Sequence, residues 1–411
     1  MKRENFTRAS AIWIATASVL CAVGVTAFSI APAMAATTAK TTTAKVAVTP
    51  LKYGVWLPFW QSQNGAQDIA LNLTTLSEVS PFSYEIVAGG NIKDDLNIGN
   101  GSWAAWFSAV HDAGAKIIPT IAWFDTNSIY NLLSNANARQ AEEDQIAALV
   151  KMQNFDGIDI DFEAMSPSTR PYYSLFIQGL AQRLHPAGKV LTCTVQPRTP
   201  PDQIYTVVPT NIVYPENYTV LNKYCDEVRL MAYDQETTDL TLDASKGNGN
   251  LYAPVADPAW VKSVIQEALQ WISPRKIMLG IPTYGYEYEV SWLDGVTTYQ
   301  RVRAFDYLDA MDRADSLGIE PTRDNAGELS FTYASSTYIA QPDILVTNVQ
   351  STEPALLKTV DPNASTTFFV SFPDADSILA NINLAKQFGL RGAMLFKADG
   401  NIDPMVWQYM D

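Results

Sequence analysis

Residues 154–165 read Asn-Phe-Asp-Gly-Ile-Asp-Ile-Asp-Phe-Glu-Ala-Met, and this stretch decides the fold. Written as a strand, it places Asp159, Asp161 and Glu163 on one face and Ile158, Ile160 and Phe162 on the other. Carboxyl groups crowded on one side of a short strand shed hydration and repel one another, which an ordinary half-buried strand avoids. Crowding of this kind raises the pKa of at least one carboxyl, as a general acid working near neutral pH requires. The plainer readings are a solvated acidic strand or a calcium site. An EF-hand-like loop needs oxygen ligands around a Gly-centred turn, which this alternation does not supply.

Strand and helix signals alternate on both sides of the acidic segment, the pattern of a parallel barrel. Upstream, strands are expected at Tyr53 to Trp60, Val79 to Val87 and Lys116 to Phe124. The acidic segment is the fourth strand. Downstream come Val190 to Gln196, Glu227 to Tyr233, Lys276 to Tyr284 and Arg391 to Phe396. Helical patterns lie between them, among others Ser102 to Ala113, Ala138 to Gln153, Thr169 to Leu184 and Pro258 to Ile272. The expected class is α/β, a (β/α)8 TIM barrel. One interval breaks the rhythm: from about Glu287 to Pro373 the connection is far longer than a βα loop needs. It holds a helix (Ala304 to Leu317) and strand-like runs (Leu329 to Ala334, Thr366 to Phe372), and reads as a small α+β insertion beside the cleft. Residues 51–411 then form the barrel with its insertion.

Side chains at the carboxyl ends of barrel strands converge on one mouth. Glu163, last of the alternation, reaches furthest toward substrate and is the candidate general acid. Asp161 follows about 7 Å away along the backbone, within reach of a shared proton or hydrogen bond. Asp159 lies deeper and is expected to hold Asp161, whereas Asp156 belongs to the opposite face and reads as structural.

The spacing Asp156, Asp159, Asp161, Glu163 resembles the Asp-x-x-Asp-x-Asp-x-Glu signature of glycoside hydrolase family 18, the chitinase-like barrels, at every fixed position. Met231-Ala-Tyr-Asp234 resembles that family's Met-x-Tyr-Asp, and Leu279-Gly-Ile-Pro-Thr-Tyr-Gly-Tyr286 resembles its seventh strand. Gln196-Pro-Arg198 is similar to the Pro-Lys of the spore-germination and cortex-lytic branch. The resemblance runs from about Lys52 to Trp407 and places the insertion between strand 7 and helix 7. It implies hydrolysis of β-linked N-acetylglucosamine polymers, with the substrate's own acetamido oxygen as nucleophile. On that mechanism Asp161 orients the acetamido group, Tyr233 donates to its carbonyl, and Asp234 binds sugar. Met231, Tyr284, Tyr286, Trp56, Tyr84, Gln196 and Phe396 complete the expected substrate-binding set, with Phe59, Trp60 and Trp123 as further aromatics able to stack on a sugar or to fill the core. Two departures separate the chain from typical chitinases: Ile-Pro-Thr-Ile-Ala-Trp-Phe replaces Ser-x-Gly-Gly in strand 3, and Phe396 stands where those enzymes carry Trp. Both favour the cell-wall branch. A lectin-like relative without activity is the alternative, and intact Glu163 argues against it.

Lys2, Arg3 and Arg8 precede an apolar run from Ala11 to Ile30 and then Ala-Met-Ala-Ala, which reads as a secretory signal over residues 1–35, long enough to serve instead as an anchor. Residues 36–50, rich in Thr, Ala and Lys, read as a flexible tether. With Lys2, Arg3, Arg8 and Glu4 removed, 25 basic residues face 42 acidic ones, a net of −17. This balance disfavours nucleic acid or an anionic membrane as partner and suits a neutral polysaccharide. A membrane enters only if the leader is retained, and a monomer is expected. Beyond the leader only Cys193 and Cys225 remain; one falls in mid-strand and the other before the next strand, so two buried thiols are expected rather than a bridge. With His111 and His185 alone, both in surface helical stretches, neither a Ser-His-Asp triad nor a histidine metal site is expected, and no cofactor.

Overall fold

The computed structural model describes residues 50–293, 296–334 and 365–410. The expected leader, and the tether up to residue 49, lie outside the described residues. Among those residues no helix is long and apolar enough to cross a membrane. The chain lays down β1 (Lys52–Pro58), β2 (Glu78–Val87), β3 (Asn91–Asp94), β4 (Lys116–Ile117), β5 (Thr120–Trp123), β6 (Gly157–Phe162), β7 (Val190–Val195), β8 (Glu227–Met231) and β9 (Ile277–Pro282). A second sheet follows, made of β10 (Tyr284–Leu293), β11 (Val296–Asp306), β12 (Thr322–Arg323), β13 (Leu329–Ala334) and β14 (Ser365–Phe372), before β15 (Gly392–Phe396) returns to the first.

Parallel pairing runs β1–β15–β9–β8–β7–β6–β5–β2, and β2 pairs with β1 from Gly54 opposite Glu78 to Pro58 opposite Phe82. The ring therefore closes as the expected (β/α)8 barrel, with helices such as Arg170–Leu184 and Pro258–Leu269 outside it. Every residue of β6 is buried, because a parallel strand between helices and barrel interior has no wet face. Its even-numbered side chains face the helices: Phe162 stacks on Phe176 with centroids 5.3 Å apart. Its odd-numbered side chains face inward, so the alternation read from sequence becomes a carboxylate row inside the ring.

The interior departs from the apolar layers usual in such barrels. Glu78 and Ser80 from β2, Asp159 from β6, and Glu227 and Arg229 from β8 are all buried. Arg229 donates to Ser80 Oγ at 2.6 Å and to Glu78 Oε1 at 3.0 Å, and pairs with Asp159 Oδ2 at 3.1 Å. Buried charges persist only when paired in this way.

Three sequence expectations need correction. The third strand is not continuous but splits into β4 and β5 around Pro119, which has no N–H to donate to a ladder; its carbonyl still accepts from Asp159 N–H at 2.9 Å. The seventh strand ends at Pro282, and after Thr283 the chain enters β10, so the added sheet starts at Tyr284 and not at Glu287. Cys193 and Cys225 form a disulfide with Cα atoms 6.2 Å apart, inside the range a bridge spans. Cys193 points outward from β7, toward the end of helix Tyr218–Tyr224, whose C-cap is Cys225. Strand spacing alone did not reveal that approach.

The second sheet is ordered β11–β10–β14–β13–β12, all antiparallel, and helix Tyr307–Leu317 packs with Phe331 and Phe372 of its core. Residues 335–364 of the expected insertion lie outside the described residues. Glu328 and Lys397 are among the side chains that tie the sheet to the barrel. Glu328 accepts from Val255 N–H at 3.0 Å and Ala256 N–H at 2.8 Å, just before helix Pro258–Leu269. Lys397, which follows β15, pairs with Asp306 of β11 at 2.7 Å and with Asp399.

Candidate active site

Glu163 is the first residue beyond β6, its N–H bonded to Trp123 O at 2.9 Å, which extends the strand register to the barrel lip. The chain then turns at once: Ala164 adopts φ 54°, a left-handed conformation that costs a residue with a Cβ. Asp234 does the same after Tyr233, at φ 60°. Both turns leave their side chains at the mouth.

Three carboxylates descend from that mouth in graded environments. Glu163 is half-buried and accepts from Gln196 Nε2 at 2.5 Å. Burial pushes its pKa up to about 7, the Gln196 hydrogen bond opposing and the charges of Asp234 and Glu216 adding to the rise. Asp161 is buried, and its Oδ1 has no hydrogen-bond partner among the described residues. Its pKa is raised well above the ordinary carboxylate range, first by burial and then by Glu163 and Asp159. Asp159 is fully buried and saturated with donors. Thr120 Oγ1 and Thr192 Oγ1 each lie 2.8 Å from it, Thr194 Oγ1 2.9 Å, and Arg229 supplies a cation. None of its described hydrogen bonds runs to Asp161. Asp156, as its parity implied, sits apart at the opposite end of the strand, 2.8 Å from both Ile117 N–H and His111 Nε2.

Beside the carboxylates the strand ends build an aromatic floor. Tyr233 stacks on Phe396 at 5.5 Å with planes 15° apart, and Tyr284 meets both rings edge-on. The hydroxyls of Tyr284 and Tyr286 each donate to Asp234 Oδ1 at 2.7 Å, fixing the exposed Asp234 at the rim. Met231 is buried among these tyrosines. On the other side of Gln196 a depression of about 560 Å³ opens, bordered by Gln196, Arg198, Tyr205, Tyr214, Asp234 and Leu240. Arg198 is buried between the Tyr214 and Tyr218 rings and donates to the Glu216 carbonyl at 2.6 Å.

Not every expected residue reaches this mouth. Tyr84 lies in the outer layer, 2% exposed and edge-on to Phe155, because β2 shifts register between Phe82 and Tyr84. Trp123 likewise points outward, against Phe162. Trp56 faces inward but is covered by Met278 and Met394, and its indole N–H donates to Thr120 Oγ1 at 3.2 Å. It supports the floor and offers no free face to a sugar. Phe82, Phe59 and Trp60 are half-buried nearby, with Trp60 6.0 Å from Phe82. Phe82 and Arg229 were missed from sequence. The signal for Arg229 was available: its parity in Glu-Val-Arg-Leu-Met puts it on the face of Met231 and Tyr233. Among the described residues no group of three His, Cys, Asp or Glu side chains is arranged to hold a metal ion.

Comparison with known proteins gives this geometry a family. The chain is 31% identical over 175 residues to the uncharacterized glycosylase YvbX of Bacillus subtilis, covering 43% of this chain and 46% of that protein. It is 28% identical over 138 residues to the cortical fragment-lytic enzyme of Bacillus anthracis, covering 34% and 28%. These matches span less than half of either relative. In three dimensions the chain is similar to the Bacillus cereus spore cortex-lytic enzyme SleL, with a TM-score of 0.63 and 20% identity over 88% of this chain and 73% of that one. It is equally similar to a Chromobacterium violaceum chitinase, with a TM-score of 0.64 and 19% identity over 88% and 98%. The model of glycosyl hydrolases family 18 matches residues 90–401, which hold the acidic strand, the Met-Ala-Tyr-Asp run and Phe396, and the chain belongs to that family.

Proposed function

We propose that this chain is a retaining glycoside hydrolase of endo type that cleaves β-linked N-acetylglucosamine polymers, peptidoglycan, chitin or chitooligosaccharides, by substrate-assisted catalysis. The observation that carries the proposal is the graded carboxylate row. Glu163, with a pKa of about 7, holds a proton to give at neutral pH, and burial together with the Glu163 and Asp159 charges raises the proton affinity of Asp161 below it. Glu163 protonates the glycosidic oxygen as the bond to the anomeric carbon breaks. The acetamido oxygen of the same sugar attacks that carbon, so the N-acetyl group is obligatory. Asp161 accepts the acetamido N–H and steers the group, while the Tyr233 hydroxyl donates to its carbonyl. Water then opens the cyclic intermediate, with Glu163 taking back a proton.

Phe396, flanked by Tyr233 and Tyr284, gives the sugar a platform. Spore cortex-lytic relatives support a cell-wall polymer, and a Cycas revoluta chitinase of the same fold was crystallised with a chitotetraose. The acidic surface favours a neutral polysaccharide over nucleic acid. Residues 1–35 are read as an export signal, and the Cys193–Cys225 bridge supports that reading, since structural disulfides persist in oxidising compartments.

A chitinase-like agglutinin from Robinia pseudoacacia also shares the fold, with a TM-score of 0.61. The test is therefore turnover: a chitobiose glycoside with a chromogenic leaving group, alongside product analysis on peptidoglycan and colloidal chitin. Reporter release that is lost in Glu163→Gln supports the enzyme; saturable binding without turnover supports a lectin and sinks the proposal.

A further inference from the structure

The residue after the floor's Phe396 is a cation, Lys397, whose side chain is only 12% exposed. Phe396 ends β15 and stands opposite Pro282 of β9, which has no N–H to offer, so the next residue takes up the pairing. Thr283 N–H donates to the Phe396 carbonyl at 2.9 Å. The Thr283 hydroxyl accepts from Lys397 N–H at 2.8 Å and donates to the Lys397 carbonyl at 2.7 Å. On the other side Ala398 N–H donates to the Trp56 carbonyl of β1 at 2.9 Å. The Lys397 side chain leaves the barrel: its Nζ pairs with Asp306, the last residue of β11, at 2.7 Å, and with Asp399. Asp306 stands opposite Tyr284 in the β10–β11 register, and Tyr284 is the ring that meets Phe396 edge-on at 5.9 Å.

We propose that Lys397 is a positioning residue for sugar binding: its pair with Asp306 fastens the Phe396 platform to the second sheet and so sets the Phe396 ring against Tyr284. The backbone bonds alone fix Phe396 relative to β1 and to the end of β9, both parts of the barrel. Tyr284 and Tyr286 belong to the second sheet, and the Lys397–Asp306 pair joins their sheet to the residue that follows the platform. What Asp306 does not do supports this role. It is the N-cap of helix Tyr307–Leu317, a place where an aspartate ordinarily turns its carboxylate to the helix's own N–H groups, yet its side chain makes no capping bond and reaches Lys397 instead. Asp399, by contrast, also accepts from Asn401 N–H at 3.0 Å and is held by its own turn. A cation this enclosed is little screened by water, so removing its charge loosens the junction and an exposed pair would not.

This inference rests on the sugar platform of the proposed function, so its test reads binding apart from turnover. Calorimetric titration with chitotetraose is carried out on the full chain carrying Glu163→Gln, alone and with Lys397→Met, Phe396→Ala or both. Lys397→Met and Phe396→Ala are each expected to raise Kd about tenfold, the size of one aromatic contact. Together they are expected to weaken binding by less than about twofold beyond Phe396→Ala alone, because Lys397 acts through that ring. Lys397→Arg keeps the charge and is expected to bind within about threefold of the parent. A Kd unchanged by Lys397→Met overturns the proposal, and so do losses that multiply in the combined variant, which a general structural weakening would give. If Lys397→Met does not fold, Asp306→Asn takes its place in the same cycle and is read by the same criteria. Wild-type protein is assayed in parallel with chitobiose reporter. The expected binding pattern without turnover leaves this inference standing and removes the proposed function; turnover with multiplying losses does the reverse, and no chitotetraose binding by Glu163→Gln overturns both.

Discussion

Glu163→Gln is expected to abolish turnover and, above neutral pH, to stabilise the fold. The folded wild type holds Glu163 protonated until about pH 7, whereas the unfolded chain releases that proton near 4.5. A carboxyl raised in the folded state contributes stability that is fully present below 4.5 and is lost as pH rises through 7. Gln does not titrate, so the variant gains on the wild type across that window. The interval of about 2.5 units corresponds to a ceiling of about 3.4 kcal/mol at 1.36 kcal/mol per unit. Glu163 is only half-buried and water screens part of the penalty, so a gain of about 1–2 kcal/mol is expected, or a few degrees in Tm. The Gln196 contact survives, because the new amide can turn its oxygen toward Gln196 Nε2. Thermal unfolding of both proteins at pH 4 and pH 8, with reporter assays on the same samples, reads the two effects together. A Tm difference that is the same at both pH values would refute the burial argument, and residual turnover near the wild-type level would refute the acid assignment.

The pH profile of kcat/KM should fall as pH rises through about 7, since the acid must arrive protonated; a flat profile to pH 9 contradicts the Glu163 assignment. Asp161→Asn and Tyr233→Phe should each lower kcat, the first by about 10²–10³-fold and the second by about 10–100-fold, checked by steady-state kinetics on chitobiose reporter. Glycosides in which the acetamido group is replaced by hydroxyl should be inert at any concentration, and cleavage of a glucan as fast as its acetamido counterpart removes substrate assistance. Cys193→Ala should destabilise the barrel by about 2–4 kcal/mol, because the bridge closes a loop of 32 residues in the unfolded chain; an unchanged Tm would show that the bridge is dispensable.

Much of the fold was readable because it rests on period. The inward row Asp159, Asp161, Glu163 and the outward row Ile158, Ile160, Phe162 follow from side chains alternating across a strand, and the structure keeps both rows. The same parity puts Asp156 on the other face, and its carboxylate accepts from Ile117 N–H, away from the inward row. Where parity breaks, the reading failed: the shift in β2 between Phe82 and Tyr84 turns Tyr84 into the helical layer and leaves Phe82 at the mouth. A local irregularity of one residue exchanges faces, and nothing in Pro-Phe-Ser-Tyr marks it.

Sequence by itself determined the strand order, the closed ring, the carboxylate row at one lip and the family signature, since each depends on residue types at fixed spacing along one chain. Only tertiary structure decided which groups meet across the ring. Asp159 and Arg229 lie 70 positions apart and their pairing depends on how β6 and β8 are rotated about the barrel axis. The outward turn of Cys193 toward Cys225, and the seating of Tyr284 and Tyr286 against Asp234, are likewise set by the neighbouring elements. Burial follows the same rule. A carboxyl's proton affinity depends on the water and charges around it, and those are fixed only when the strands close.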